Sequence, residues 1–314
     1  MQKKRMAAFA AIYLFWGSSY LAMRAVVHVV PPMLAASVRY GISGMALLAF
    51  SFTILREALP TGRQALNSVV TGISMIVLGY AVVFWAVTLL PSWVVAVLVS
   101  TSFLWTYLGE CFILRTAQPR TGIIFLLMLG LAGIPLLSNA AVSFNWSISS
   151  AAVAGVLAST FVWSATVLAM KKMQLPKSHW QTAGLQLGAA GTVLAAISGV
   201  FGEWGRIPSM HLLLGFRPLL GMAYLVVCGS ILAYSSFHWL MRRESPSLVA
   251  TFAYVNPVVA MLLGIGIAHE PCSLSQLLGA IAILLSVILL WRGKALHSPT
   301  RMEFQEQSAA RHSA

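Results

Sequence analysis

Apolar residues run in long blocks, and short polar or turn-forming stretches separate the blocks. A helix needs about 20 apolar residues to cross about 30 Å of hydrocarbon. Thr121 to Met170 contains no Asp, Glu, Lys or Arg, and neither does Gln64 to Gly109. Each stretch holds two spans. Leu90-Pro91-Ser92 breaks the first and Ser143-Phe144-Asn145-Trp146-Ser147 breaks the second. The pattern predicts spans at 6–26, 33–55, 66–89, 92–114, 121–141, 149–170, 180–201, 212–241, 246–268 and 274–292. The start of the eighth is the least sharply marked, because Arg217-Pro218 falls there. The fold class expected is all-α integral membrane, with ten transmembrane helices.

The chain also repeats itself. Trp16, Met23, Gly41, Gly44, Leu47 and Ser51 recur at one offset as Trp163, Met170, Gly188, Gly191, Leu194 and Ser198. Tyr80 and Trp85 recur as Tyr234 and Trp239, and Pro91, Ser92 and Val94 as Pro246, Ser247 and Val249. The expected organisation is a first five-helix repeat over 6–141 and a second over 149–292. A disordered cytoplasmic tail over 293–314 follows. A unit with an odd number of spans, used twice, must sit in the membrane in opposite orientations. Inverted halves around a midplane site are the plan of many secondary transporters.

Composition agrees with a membrane chain. Hydrophobic residues make up 59% and charged residues 9%, with mean hydropathy +0.85. A soluble domain carries about 25% charged residues. There is no Asp, and there are seven Glu. The net charge of +13 would suit nucleic acid only as a patch with interleaved aromatics. Here the basic residues sit at the ends of apolar runs. Placing both termini inside puts Lys3, Lys4, Arg5, Arg56, Arg63, Arg115, Arg120, Lys171, Lys172, Lys177, Arg242, Arg243, Arg292, Lys294, Arg301 and Arg311 in the cytoplasm. Arg24, Arg206 and Arg217 fall outside, and Arg39 within a span. That asymmetry is the positive-inside pattern. The opening Met-Gln-Lys-Lys-Arg is read as the flank of a retained first helix, since the apolar run after it is long for a signal peptide. Cys111, Cys228 and Cys272 show neither disulfide nor zinc spacing.

Polar groups and helix breakers in mid-span need a protected or wet place. Tyr254-Val255-Asn256-Pro257 is the clearest case. Pro257 has no N–H for the carbonyl of Ala253, and Asn256 adds an amide beside it. The segment reads as a kink lining a cavity, or as a kink satisfied by a neighbouring helix. Trp16 and Tyr20 share a helix face, as do Tyr80 and Phe84, and Tyr234 and His238. Trp163 repeats Trp16. These aromatics lie deep in their spans, where cavity lining competes with packing. The cavity set expected is Trp16, Tyr20, Tyr80, Trp85, Trp163, Tyr234, His238 and Asn256. Arg39, Glu110 and His238 are candidates for a charge or proton role. Anchoring is favoured for Arg39, an interfacial position for Glu110, and packing is an equal reading of His238. Gly41, Gly44, Gly130, Gly133, Gly184 and Gly188 mark close helix packing.

Phe15-Trp16-Gly17-Ser18-Ser19-Tyr20, Pro31-Pro32, Val38-Arg39-Tyr40, Thr251-Phe252-Ala253-Tyr254-Val255-Asn256-Pro257-Val258-Val259-Ala260 and His269-Glu270-Pro271 carry a family resemblance. Over roughly 6–292 the chain resembles the EamA-type ten-helix exporters of the drug/metabolite transporter superfamily. The resemblance implies a gradient-driven or facilitative exporter of small metabolites or amphipathic compounds, with a cavity between two five-helix halves. Ser100-Thr101-Ser102-Phe103 lacks a proline often found there in the family. The expected setting is the inner (plasma) membrane. The expected partners are a small-molecule substrate and the lipid bilayer, not nucleic acid, and a homodimer stays open. No cofactor or metal is called for, and no covalent chemistry. Alternatives are an amino-acid or sugar-phosphate carrier, or a non-transporting sensor or scaffold. No two of His, Asp, Glu or Cys converge at helical spacing as an intramembrane enzyme requires.

Overall fold

The computed structural model describes residues 2–27, 29–86, 89, 92–137, 149–206, 215–268 and 273–292. The described residues form helical rods joined by short turns. α1 is Gln2–Val27, and α2 is Pro32–Ala49 running into a π-helical turn at Phe50–Ile54. α3 starts as Gly62–Gly72, passes through a π-helical stretch Ile73–Ala81 and ends as Val82–Ala86. α4 is Ser92–Gly109 with a π turn at Glu110–Leu114, and α5 is Thr121–Leu137. α6 is Ser150–Met170 and α7 is His179–Val200. α8 joins Phe216–Tyr224, a π-helical Leu225–Leu232 and Ala233–Met241. α9 is Pro246–Ala250 followed by Phe252–Ala268, and α10 is Leu274–Arg292.

The starts have local causes. Thr61 and Gln64 form a reciprocal capping box, so α3 begins four residues before the apolar pattern does. The side chains of Ser149, Ser178 and Ser245 accept from the first-turn amides of α6, α7 and α9. Pro32 and Pro246 occupy first-turn positions, where a missing N–H costs nothing. The first helix begins at Gln2, so the basic opening residues are its first turn. The expected tail and the break around Ser143–Ser147 lie outside the described residues.

Six of the described helices are long and apolar enough to cross a membrane: Pro32–Ile54, Ser150–Met170, His179–Val200, Phe216–Met241, Pro246–Leu263 and Leu274–Arg292. Leu98–Leu114 and Thr121–Leu136 are shorter and apolar. Large apolar side chains such as Met45, Phe125, Phe161 and Ile288 face outward, while Ser43, Ser68, Ser198, Ser247 and Ser286 are fully buried. A surface covered by lipid and an interior joined by hydroxyls is the distribution that a bilayer demands. The chain is a multi-pass membrane protein.

α2 packs on α7, and α5 on α10. α4 packs on α6 and α1 on α9, while α6 packs on α3 and α1 on α8. The α2–α7 crossing is made by glycines. A Cβ on Gly44 would lie 2.4 Å from the amide nitrogen of Gly188, and one on Gly191 would lie 2.5 Å from that of Gly41. The backbones touch there, and a side chain at Gly44 or Gly191 would force them apart.

Candidate functional site

The interior is organised around aromatic rings. Trp16 meets Phe252 edge-on at 4.6 Å and Phe237 at 5.6 Å between ring centroids. Trp163 lies 6.1 Å from Phe237 and 6.5 Å from Phe252. The repeat-related tryptophans of α1 and α6 therefore flank the same two phenylalanines, on α8 and α9. Trp16 Nε1 donates to the carbonyl of Gly229 at 2.9 Å, which satisfies its polar tip.

Tyr234 is buried and stacks on Phe237 of this cluster at 5.9 Å. Its hydroxyl donates to Gln186 Oε1 at 2.6 Å, and Gln186 Nε2 donates to Thr71 Oγ1 at 2.9 Å. The chain of bonds ties α8 to α7 and α3. His238 is 3% exposed, with its ring edge-on to Tyr234 at 4.7 Å and to Phe237 at 5.3 Å. Its Nε2 is buried without a hydrogen-bond partner. Trp85 is 45% exposed and lies against Gly155 of α6. The side chains of Tyr20 and Tyr80 lie outside the described residues.

The proline segment is satisfied within the protein. The Ala253 carbonyl that Pro257 leaves unbonded accepts from Ser100 Oγ at 3.1 Å. A neighbouring helix, α4, thus fills the acceptor that the kink leaves open. With its amide oriented to satisfy both ends, Asn256 donates to the carbonyls of Phe252 at 3.1 Å and Tyr13 at 3.3 Å. Tyr13 is joined through its hydroxyl to Thr251 Oγ1 at 2.6 Å, and Trp291 Nε1 donates to it at 3.2 Å. α1, α9 and α10 are thus held together beside Asn256.

Both intramembrane charges are buried. Glu110 is 1% exposed, at the end of α4 where α9 begins. Its Oε2 accepts from the amide of Ser247 at 3.1 Å and from the Ser247 hydroxyl, and so caps the first turn of α9 from α4. Its Oε1 has no partner. Arg39 is 6% exposed, and its Nε donates to Ser230 Oγ on α8 at 2.9 Å.

One end of the bundle is bolted. Arg5 and Glu244 form an ion pair with a closest approach of 2.6 Å. Lys171 Nζ donates to the carbonyl of Met241 and, at 3.0 Å, to that of Glu244. Burial pulls the Lys171 ammonium below its ordinary pKa, and Glu110 and Glu244 oppose the shift. Arg242 Nη2 donates to the Pro176 carbonyl at 2.6 Å and to Thr182 Oγ1 at 3.2 Å. Toward the other end, Met23, Val26, Ala35, Ala36, Arg39 and Leu225 line a concavity between α1, α2 and α8. A second concavity, lined by Lys4, His179, Trp180, Ser235 and Trp239, opens at the bolted end. Of the residues expected to line a cavity or to carry a charge or proton role, Arg39 alone lines either of these two.

The sequence pattern of the EamA-like transporter family matches residues 4–139 and again 150–292. The chain belongs to the EamA-like transporter family. An inner membrane transporter, YedA of Escherichia coli (strain K12), is 34% identical over 92% of this chain and 91% of its own length. A transporter, YvbV of Bacillus subtilis (strain 168), is 26% identical over 90% of this chain and 89% of its own. Protein PecM of Dickeya dadantii (strain 3937) is 26% identical over 88% of each. A solved crystal structure 20% identical in sequence superposes with a TM-score of 0.73, covering 92% of this chain and 96% of that one. That likeness is one of fold.

Several groups that organise the interior of this EamA-like transporter escape a reading of the sequence. Gln186, Ser100, Ser230 and Ser247 each meet a residue more than forty positions away. Serine is common in packed membrane helices, so nothing in its own surroundings marks it. Glu203 had a signal, as one of the few acids in the chain. It accepts from the Leu34 amide at 2.8 Å and from Ser198 Oγ at 2.9 Å, and so caps α2.

Proposed function

We propose that the chain is an inner-membrane secondary transporter. It moves small metabolites or amphipathic compounds outward by alternating access between two inverted five-helix halves. The observation that carries this reading is the α2–α7 crossing. Gly188 is the repeat mate of Gly41 and Gly191 that of Gly44, by position in the sequence. Gly44 touches Gly188 and Gly191 touches Gly41. Such a reciprocal contact belongs to a twofold axis. The other pairings exchange in the same way when five is added to each helix number: α4 on α6 becomes α9 on α1, and α6 on α3 becomes α1 on α8.

The bolted end supports alternation. By the positive-inside count, Arg5, Lys171, Arg242 and Glu244 lie on the cytoplasmic side, so these contacts would join the helices there until an inward-open state parts them. Opening that end requires a few polar contacts to break, and a substrate bound more tightly in one state shifts the balance by that difference in affinity. Trp16 and Trp163, with Phe237 and Phe252, would line the path and stack on flat apolar parts of a substrate. Asn256, bonded to the carbonyl of Tyr13, would act as the tether between α1 and α9 that the cycle makes and breaks. His238 is enclosed by rings, which favours facilitative, substrate-driven movement over a proton carried on its imidazole.

The test is counterflow. Purified protein in liposomes is loaded with each member of a metabolite panel, and uptake of the labelled compound is followed with and without a pH gradient. A carrier gives a transient overshoot for at least one compound, independent of the pH gradient and retained in His238→Gln. Uptake that follows the gradient in wild type and loses that dependence in His238→Gln would contradict the facilitative mode. No overshoot for any panel member would count against transport.

A further inference from the structure

The concavity at the bolted end holds about 280 Å³, against about 10 Å³ for the one beside Arg39. α1, α7 and α8 wall it. α8 finishes at this end, so its residues mark depth. Trp239 stands nearest the end, Ser235 one turn deeper and Leu232 nearly a turn beyond. Leu232 to Trp239 covers about 10 Å of helix. Lys4, in the first turn of α1, supplies a cation at the rim, and Trp180, in the first turn of α7, a second indole. Among the described residues the lining holds no acid, and Lys4 has no ion pair. Glu244 is held by Arg5, and Glu57 takes the Ser51 hydroxyl. Arg243 lies over the Trp239 ring at 4.2 Å and adds a cation beside the opening. Trp180 is fixed in place, since its ring meets Phe50 at 5.3 Å and His179 at 4.6 Å. Deeper in, Ser235 is 2% exposed, and its Oγ has no hydrogen-bond partner among the described residues. A buried hydroxyl left unpaired is costly, so it would bind an acceptor that enters from the concavity. Leu232 is 41% exposed.

We infer that this concavity seats one anionic phospholipid. Its phosphate lies on Lys4 at the rim. One ester carbonyl accepts from Ser235 Oγ, and an acyl chain leaves along Leu232 toward the hydrocarbon. From rim to depth the wall runs cation, indole, hydroxyl, aliphatic. A phospholipid presents its phosphate, interface, ester and chain in that same order. Basic pockets between membrane helices recognise anionic head groups, and indoles settle at head-group depth. The lysine stem can lie on apolar surface while its ammonium stays level with the phosphates. A soluble phosphate ester would meet the rim and leave Ser235 and Leu232 unused. The site goes beyond the transport reading and does not rest on it.

The experiment uses the purified full-length protein, stripped of lipid in detergent. It is titrated with phosphatidylglycerol whose acyl chains carry bromine, which quenches indole fluorescence on contact. Trp180 and Trp239 are the reporters at the site. Quenching should saturate. Unlabelled competitors then separate the sources of the phosphate. Phosphatidylglycerol should displace the brominated lipid, and phosphatidylcholine with the same chains should do so about fivefold more weakly. Glycerol 3-phosphate should not displace it over the same range. Lys4→Gln should weaken phosphatidylglycerol about fivefold, the worth of one basic residue at an anionic head group, and leave phosphatidylcholine as it was. Ser235→Ala should weaken both lipids about two- to tenfold, because both carry the ester. Ala7→Phe, at an exposed position on the α1 wall, fills the concavity and should remove the saturable phase. A thermal melt like that of wild type checks that this variant folds. The site is overturned by phosphatidylcholine competing as well as phosphatidylglycerol, or by displacement with glycerol 3-phosphate. Saturable quenching that survives Ala7→Phe, affinity unchanged in both Lys4→Gln and Ser235→Ala, or no saturable phase at all would overturn it equally. Binding is read without transport, so absence of counterflow would remove the transport reading and leave this site standing.

Discussion

Removing the hydroxyl of Ser100 would strand the Ala253 carbonyl in a bundle where no water replaces it. An unsatisfied buried acceptor costs about 1–3 kcal/mol. Ser100→Ala should lower unfolding stability in detergent by that order, and an unchanged midpoint in a denaturant titration would refute the assignment. Glu203→Ala should cost about 0.5–2 kcal/mol through the lost cap on α2. A thermal melt of that variant indistinguishable from wild type would show the cap to be idle. Half of this arrangement was legible beforehand. Proline lacks a donor wherever it stands, so Pro257 announces an unbonded carbonyl. Which side chain fills the vacancy depends on which helix abuts it, and α4 gives no local sign that Ser100 faces α9. Glu110 shows the same limit. Its distance from the helix end gave a place near the membrane face, but not that the turn beginning at Pro246 folds over it and uses it as a cap.

At the scale of elements, the glycine crossing makes an asymmetric prediction. A Cβ on Gly44 or Gly191 would drive into backbone atoms, whereas one on Gly41 or Gly188 would meet nothing within 4 Å. Gly44→Ala and Gly191→Ala should each cost about 1–3 kcal/mol through overpacking. Gly41→Ala and Gly188→Ala should be neutral, or stabilising by up to about 1 kcal/mol from helix propensity. Equal effects from all four, measured by the same unfolding assay, would mean that α2 and α7 do not cross at these residues. The repeat and the ten apolar runs were readable because lipid imposes one length and one composition on every span. The π-helical stretches in α3 and α8 were not readable. One extra residue per turn leaves an all-apolar run apolar, so the pattern carries no trace of it. Nor was the break at Thr251, between the two pieces of α9, since no proline stands at that point.

For the whole molecule, the proposed cycle turns on the polar contacts at the Arg5–Glu244 end. The Arg5–Glu244 pair is part-exposed, and such pairs contribute about 0–1 kcal/mol. Glu244→Ala should therefore leave folding nearly unchanged but shift the resting balance about two- to fivefold toward inward opening. A cysteine introduced at Ser236, which lines the concavity at that end, should then react correspondingly faster with a membrane-impermeant maleimide applied from the cytoplasmic side. An unchanged rate would mean that the pair does not hold this end shut. All of this depends on the two halves lying inverted, so the most direct test is one of sidedness. Alkaline phosphatase fused in the 142–148 segment, between the halves, should be active, because an odd number of spans precedes it. The same enzyme fused after Ala314 should be inactive, and a fluorescent protein there should glow. Equal phosphatase activity at both positions would contradict the inverted arrangement and the account built on it.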